Sequence, residues 1–248
     1  MKIVFLGTGE AFDENIPNNS HLVIAGKINL LLDCGFTVPP QVWKFNPDKD
    51  FLGAVYISHQ HADHYFGLPA LFVRMWEEGR KKPLTIICQK RFKDSFDDFM
   101  DFAYKGFKEK FKFGFDFIEA EDSGTCELGY LNLYFEETVH SGKNLAVKIS
   151  DKKNSVCYGG DGSPKKDSKF YNDADLLIQE TYLYNEEKIG HSSIVSAIGF
   201  SEKNNIKCLA LTHINRNFRK NELPKIKNKI KSDKVKILIP EPFDEYGF

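Results

Sequence analysis

Apolar residues in this chain come in short runs, separated by polar segments rich in turn formers. KIVFLG (2–7), HLVIAG (21–26) and INLLLDCG (28–35) read as strands, with the polar loop TGEAFDENIPNNS between the first two. FLGAVYIS (51–58) is apolar without alternation, which predicts a strand buried on both faces. In GLPALFVRMWEEG the residues Leu68, Leu71, Phe72 and Met75 recur at helical spacing, and LTIICQ (84–89) follows as a strand. Residues 91–111 place Phe92, Phe96, Phe99, Ala103, Phe107 and Phe111 three or four apart, which predicts one amphipathic helix with an interruption near Gly106.

The second half repeats the alternation. FGFDFIEA and LNLYFEETV (131–139) read as strands, and NLAVKIS and SVCYGGD as two strands joined by the turn DKKN. ADLLIQE (174–180), KCLALTH (207–213) and VKILIP are further strands. HSSIVSAIGFSEKNN opens on serines suited to an N-cap and continues as a helix. NELPKIKNKIKS predicts a helix with Pro224 near its start and Leu223, Ile226 and Ile230 on one face. Many strands with interspersed helices give an α/β protein. No linker or repeat divides the chain, so one domain over 1–248 is expected.

Composition narrows the partners. A net charge of −1 gives no bulk attraction to nucleic acid or anionic membranes. The first apolar run is too short for a signal-peptide core, and no later run approaches a membrane span. The five cysteines are widely spaced with no CxxC pair, and are expected to be reduced thiols, four of them in or at the ends of apolar runs. These features point to the cytoplasm.

The chemistry concentrates in SHQHADH (58–64). Three of the seven histidines, His59, His61 and His64, stand here with Asp63, just after an apolar strand. Alternate residues diverge on a helix, so the spacing suits a tight loop with His59 and His61 on one side and Asp63 and His64 on the other. That arrangement serves two adjacent metals better than one. Further candidates share the same placement. His140 ends LNLYFEETV, Asp161 ends SVCYGG, Glu180 ends DLLIQ and His213 ends CLALT. Each therefore sits at the downstream end of a buried strand, where sites assemble in sheet-based α/β folds. The glycines before Asp161 permit close backbone approach. His21 acquires no role.

These motifs resemble the metallo-β-lactamase-fold hydrolases, and within them the ribonuclease Z-like branch. SHQHADH matches the His-x-His-x-Asp-His signature, followed in order by VHSG, GGDG and LTHI. FLGTGEA and LLLDCG match the first strands, and QETYLYNEEKIGHSS matches a segment in which an acid precedes a histidine and hydroxyl residues. The resemblance spans nearly the whole chain and implies a four-layer αβ/βα sandwich. It implies that His59, His61 and His140 hold one metal, that Asp63, His64 and His213 hold the other, and that Asp161 bridges. Zinc suits His and carboxylate ligands, and manganese or iron would accept the same set. Two such metals would activate a shared water for attack on phosphorus. His191 is expected to protonate the leaving oxygen, oriented by Glu180. Asp63 counts with them as a catalytic residue.

The substrate is expected to be a small phosphodiester: a cyclic nucleotide, a cyclic phosphate or a short oligonucleotide. Full ribonuclease Z enzymes carry a transfer-RNA-gripping arm between the positions of His140 and Asp161. Here only residues 141–160 lie between them, and two strands use most of those. The one basic run, 216–236, reads as the solvated face of a helix. A ribonuclease Z-like RNA endonuclease, or a thioesterase or lactonase on the same metals, is the alternative. A di-iron redox protein would carry a glutamate where His61 stands. A binding module without activity would have lost ligands. Relatives in the branch are often dimers, which makes a homodimer an expectation. The Phe-rich segment 92–117 is expected to be mainly core, with a stacking wall or a dimer surface as the other uses of its rings.

Overall fold

The computed structural model describes residues 1–186 and 188–248. Its first half contains β1 (Lys2–Gly7), β2 (Ser20–Ala25), β3 (Ile28–Leu32), α1 (Pro39–Phe45), β4 (Ala54–Tyr56), α2 (Ala62–Tyr65), α3 (Leu68–Glu77), β5 (Leu84–Cys88), α4 (Lys90–Asp94), α5 (Phe96–Ala103) and β6 (Phe115–Glu119). The second contains β7 (Thr125–Leu128), β8 (Leu131–Glu137), β9 (Leu145–Ser150), β10 (Ser155–Tyr158), β11 (Leu176–Glu180), α6 (Ile194–Lys203), β12 (Cys208–Thr212), α7 (Arg216–Asn221), α8 (Leu223–Ile226), β13 (Lys236–Leu238) and β14 (Glu245–Gly247).

The strands form two seven-stranded sheets, in the orders β14-β1-β2-β3-β4-β5-β6 and β13-β12-β11-β10-β9-β8-β7, so that β14 returns to the sheet of the first half. Apolar residues of both sheets, among them Phe5, Leu30, Tyr56, Phe135, Val147 and Ile178, interleave in one buried core. A second core lies between the first sheet and α1, α3, α4 and α5, and a third lies under α6, α7 and α8. The layers are therefore helix, sheet, sheet, helix: the four-layer sandwich of the metallo-β-lactamase fold. β3–β6 run parallel, as do β10–β13, so their downstream ends share a rim.

Three local expectations change. The helix expected over 91–111 breaks at Ser95, whose hydroxyl donates to the Arg91 carbonyl at 2.9 Å, a local bond that competes with helix continuation. α5 then stops before Gly106, whose φ is +71°. Ala103 is exposed, and the buried stripe is Phe92, Phe96 and Met100. The helix expected over 221–232 is a four-residue α8 followed by a 3₁₀ turn at Lys227–Lys229. Lys225 and Lys229, and Lys227 and Lys231, stand four apart, and such like-charge pairs weaken a helix. Finally, Asp63 and His64 lie in the helical turn α2 rather than in a loop.

Candidate active site

Five strands, four of them in parallel pairs and β8 antiparallel, deliver polar side chains to the shared rim. His59 follows β4, His140 follows β8, Asp161 follows β10, Glu180 ends β11 and His213 follows β12. Asp161 can reach the rim because Gly160 precedes it, with φ +60°. A Cβ at Gly160 would lie 2.4 Å from Asn144 Oδ1 and 2.7 Å from Ser58 Cβ. Gly35 is equally obligatory, since a Cβ there would meet the Asp63 carbonyl. His213 takes φ +54°, a left-handed conformation that costs a β-carbon-bearing residue about 1–3 kcal/mol. The same region holds Asp33, at φ +57°.

Ligand-capable atoms of His59, His61, His140 and Asp161 lie within 4.8 Å of one another, as do those of Asp63, His64, Asp161 and His213. Asp161 belongs to both groups. His140 Nε2 is 3.3 Å from His61 Nδ1, and His64 Nε2 is 3.3 Å from both Asp63 Oδ2 and Asp161 Oδ1. His213 Nε2 is 3.4 Å from Asp63 Oδ2 and from Asp161 Oδ2. These atoms converge without pairing off. His59 Nε2, His64 Nε2 and Asp161 Oδ1 are buried and lack a hydrogen-bond partner among the described residues. Native proteins seldom leave buried polar atoms so, and a bound cation explains it.

Three of the rings, those of His59, His64 and His140, are anchored on their far side. His64 Nδ1–H donates to Asp33 Oδ2 at 2.7 Å, and His140 Nδ1–H donates to the Gly190 carbonyl at 2.9 Å. Ser58 Oγ donates to Asp33 Oδ2 at 2.6 Å and accepts from His59 Nδ1–H at 3.0 Å. These tautomers follow from the network, and they leave Nε2 of each ring as the ligating nitrogen. The fully buried Asp33 also accepts from Ser58 N and from the Tyr158 hydroxyl.

Electrostatics fit a divalent cation. Burial pushes the Asp161 carboxyl up, but His213 and His64 outweigh it and hold the group well below the usual carboxylate range. Asp63 behaves alike, with His64 the main opposing influence. Burial lowers His64 and His213, yet the facing carboxylates carry His64 well above its ordinary value and His213 to about 9. The buried carboxylates thus demand positive charge, which protons supply at His64 and His213 until a metal displaces them. His59 and His140 sit low, chiefly from burial, and are neutral imidazoles ready to ligate.

Beside this cluster, His191 Nδ1 is 3.2 Å from Glu180 Oε2. Glu180 is fully buried, and its other oxygen accepts from Ser192 N at 2.6 Å. The hydrogen bond to Glu180 raises the His191 pKa against the effect of burial. Burial raises Glu180 in turn. The Tyr182 ring stacks on His191 with centroids 5.0 Å apart. All the sequence-derived candidates (His59, His61, Asp63, His64, His140, Asp161, Glu180, His191 and His213) therefore gather in one region.

A cavity of about 440 Å³ opens over the cluster, lined by Asp63, Asp161, His191 and His213 and, at its mouth, by Phe12 and Phe36. The sequence reading assigned no role to these two rings, to Tyr182 or to Asp33. Asp33 carried a usable signal, standing like Asp161 and Glu180 at the end of an apolar strand. Phe12 carried a weaker one, the one aromatic residue in a polar loop. Most rings of 92–117 belong, as expected, to the core over the first sheet, while Phe102 is exposed. His21 is fully buried between the edges of Phe5 and Tyr158, and neither ring nitrogen has a partner among the described residues. The cysteines are free thiols, four buried and Cys126 half-buried. No described helix is long and apolar enough to cross a membrane.

Known proteins align with this arrangement. The chain is similar to the metallo-β-lactamase fold protein YhfI of Bacillus subtilis, with TM-score 0.79 and 24% identity over 99% of this chain and 98% of that one. It is also similar to human tRNase Z, short form, with TM-score 0.81 and 20% identity over 100% and 99%. Ribonuclease Z of Methanocaldococcus jannaschii is 25% identical across 99% of this chain and 96% of its own. Two closer matches are shorter. Ribonuclease Z of Methanosarcina mazei is 35% identical over 44% of this chain, and anti-Pycsar protein Apyc1 of Paenibacillus sp. (strain J14) is 40% identical over 35%; each match spans 36% of that relative's length. The family described as anti-Pycsar protein Apyc1 matches residues 1–233. With nearly the whole length matched, and with the histidine and aspartate cluster at the sheet rim, the chain belongs to the anti-Pycsar protein Apyc1 family.

Proposed function

We propose that the protein is a two-metal phosphodiesterase acting on a small phosphodiester such as a cyclic nucleotide, a cyclic phosphate or a short oligonucleotide. The observation that carries this reading is the pair of four-donor groups sharing Asp161, with the His191–Glu180 pair at their edge. His59, His61, His140 and Asp161 would hold one ion, and Asp63, His64, Asp161 and His213 the other. Zinc matches the donors best. Bound there, two divalent ions supply Lewis acidity for phosphoryl oxygens and lower the pKa of water toward neutrality.

The chain's own residues do the rest. Glu180 occupies His191 Nδ1, which leaves Nε2 as the atom that carries a proton toward the cavity. A leaving alkoxide oxygen is a poor leaving group at neutral pH, and proton delivery from His191 Nε2 removes that barrier. Glu180 holds the ring in orientation and stabilises the imidazolium. Ser192 N fixes Glu180. Asp33, through His64 Nδ1 and Ser58, sets the ligating face of two histidines.

A small substrate is favoured because residues 141–160 are consumed by β9, its turn and β10, which leaves no arm to grip a folded RNA. Relatives named ribonuclease Z support phosphodiester chemistry over thioester or lactone hydrolysis. The test is turnover by the purified, metal-loaded protein of bis(p-nitrophenyl) phosphate, cyclic nucleotides, thioesters and lactones. His191→Ala is expected to retain metal content while kcat falls about 10²–10⁴-fold. Unchanged turnover removes His191 from the mechanism, and hydrolysis of thioesters alone overturns the reading.

A further inference from the structure

The imidazole of His191 is held at one atom and touched by three rings. Its Nδ1–H donates to Glu180 Oε2 at 3.2 Å, long for a hydrogen bond to a carboxylate. One such bond fixes a point and leaves the ring free to turn about the line through it. Three rings could set its plane. His213 lies near-parallel at 14° with centroids 6.1 Å apart, His140 lies edge-on at 5.6 Å, and Tyr182 lies at 27° and 5.0 Å. His213 and His140 belong to the metal-ligand cluster, which leaves Tyr182 as the one ring of the three whose contact with His191 is not shared with a ligand role.

Tyr182 is fixed at both of its backbone groups. It stands two residues past the end of β11. Its N–H donates to the Ser192 carbonyl at 2.9 Å, and its carbonyl accepts from Asn215 N at 3.0 Å. Those bonds tie it to the residue after His191 and to the cap of α7, two residues past His213. The turn that carries His191 wraps the Tyr182 ring. Lys188 Nζ lies over that ring, 5.1 Å from its centroid, and the Lys188 carbonyl accepts from His191 N at 2.9 Å. Ile189, the apolar side chain of the turn, is fully exposed and anchors nothing. The packing of this turn therefore falls to Tyr182. A ring face held rigid gives a second ring against it a preferred plane.

We propose that Tyr182 is a positioning residue for proton delivery: its ring sets the plane of the His191 imidazole so that Nε2 faces the leaving oxygen, which the single bond to Glu180 does not do alone. The inference rests on the phosphodiesterase reading for the role of His191. In that step phosphorus gains the oxygen of water, and the bond from phosphorus to the leaving oxygen breaks with its electron pair on that oxygen. The oxygen takes the proton from His191 Nε2, and the proton lost by water returns to the imidazole through solvent. Tyr182 touches none of the reacting atoms. Its effect should therefore grow with the need of the leaving group for a proton.

The experiment uses the metal-loaded protein and a series of ethyl aryl phosphates whose leaving groups run from p-nitrophenol to unsubstituted phenol. Steady-state kcat is plotted against leaving-group pKa. p-Nitrophenolate departs without a proton, whereas phenolate gains from one. Tyr182→Leu is expected to lower kcat about 10–100-fold on the phenyl ester, the scale of a misplaced catalytic group, and far less on the p-nitrophenyl ester. KM and metal content should hold, and the slope should approach that of His191→Ala. Tyr182→Phe should keep the shallow wild-type slope, because the ring and not the hydroxyl acts. Ile189→Ala, in the same turn, is the control. The proposal is overturned if Tyr182→Leu lowers kcat equally on every ester, if it leaves the slope unchanged, or if Tyr182→Phe behaves like Tyr182→Leu. Should the wild type hydrolyse none of the esters, the phosphodiesterase reading fails, and a crystal structure of Tyr182→Leu decides the positioning role. A His191 ring turned from its plane or without order supports it, and an unchanged ring ends it.

Discussion

The phenylalanine layer over the first sheet and the histidine rim between the sheets are both dense clusters of one residue type, built on opposite terms. In the layer, rings satisfy one another. Phe96 packs edge-on to Phe92, Phe115 and Phe117 and tilts against Phe72, with centroids 4.9–6.1 Å apart. In the rim, nitrogen and oxygen atoms approach to 3.3–3.4 Å and still leave buried atoms without partners. A cluster whose members pair off is a core. One whose members aim at a shared centre requires something the chain does not supply. The two should therefore break differently.

The sharpest break is Asp161→Asn. It weakens the one residue common to both donor groups, so turnover is expected to fall to background and metal content to drop, with the thermal transition of metal-free protein barely moved. Elemental analysis beside activity checks this; full metal content with full activity would mean that Asp161 is not a shared ligand. The converse is Phe96→Ala in the layer. It should cost about 3–5 kcal/mol in urea unfolding while the folded fraction keeps its metal and its kcat. A drop in metal affinity at Phe96 would show that the layer and the rim are not separable.

Asp33→Asn lies between the two. It keeps shape but weakens the acceptor that orients His64 and Ser58, so metal affinity should fall about 10–100-fold, measured by chelator competition. The smallest expected effect concerns His21, a histidine that behaves like the layer. Burial, with the His64 charge second, lowers its pKa to about 3. A depressed pKa means that the unfolded chain takes up the proton first. The associated stability is full above the unfolded value near 6.5 and is lost as pH falls toward 3. Between pH 6.5 and 4.5 that amounts to about 2–3 kcal/mol at about 1.4 kcal/mol per unit. His21→Leu in EDTA-treated protein should flatten that part of the stability curve, and an unchanged acid limb would rule His21 out as its cause.

Much of this contrast is legible in the chain. The candidate ligands outside SHQHADH announce themselves because each stands at the end of an apolar strand, where a polar residue has no packing reason to be. Asp33 obeys the same rule in INLLLDCG. The short strands β7 and β14 leave a weaker trace, because alternation over three or four residues scarcely differs from loop sequence. The breaks at Ser95 and after Pro224 depend on local hydrogen bonds and charge pairs that a periodic pattern overrides on paper.

The sequence by itself determined which atoms can bind metal and that the ends of buried strands would carry most of them, since both follow from residue type and local period. Only the tertiary structure decided that Asp161 stands between two donor groups, that Asp33 reaches His64 and Tyr158, and that Phe12 rather than the Phe-rich segment edges the cavity. Those facts depend on how two sheets meet face to face. The contacts involved join residues up to 150 apart, and no local pattern encodes separation in space.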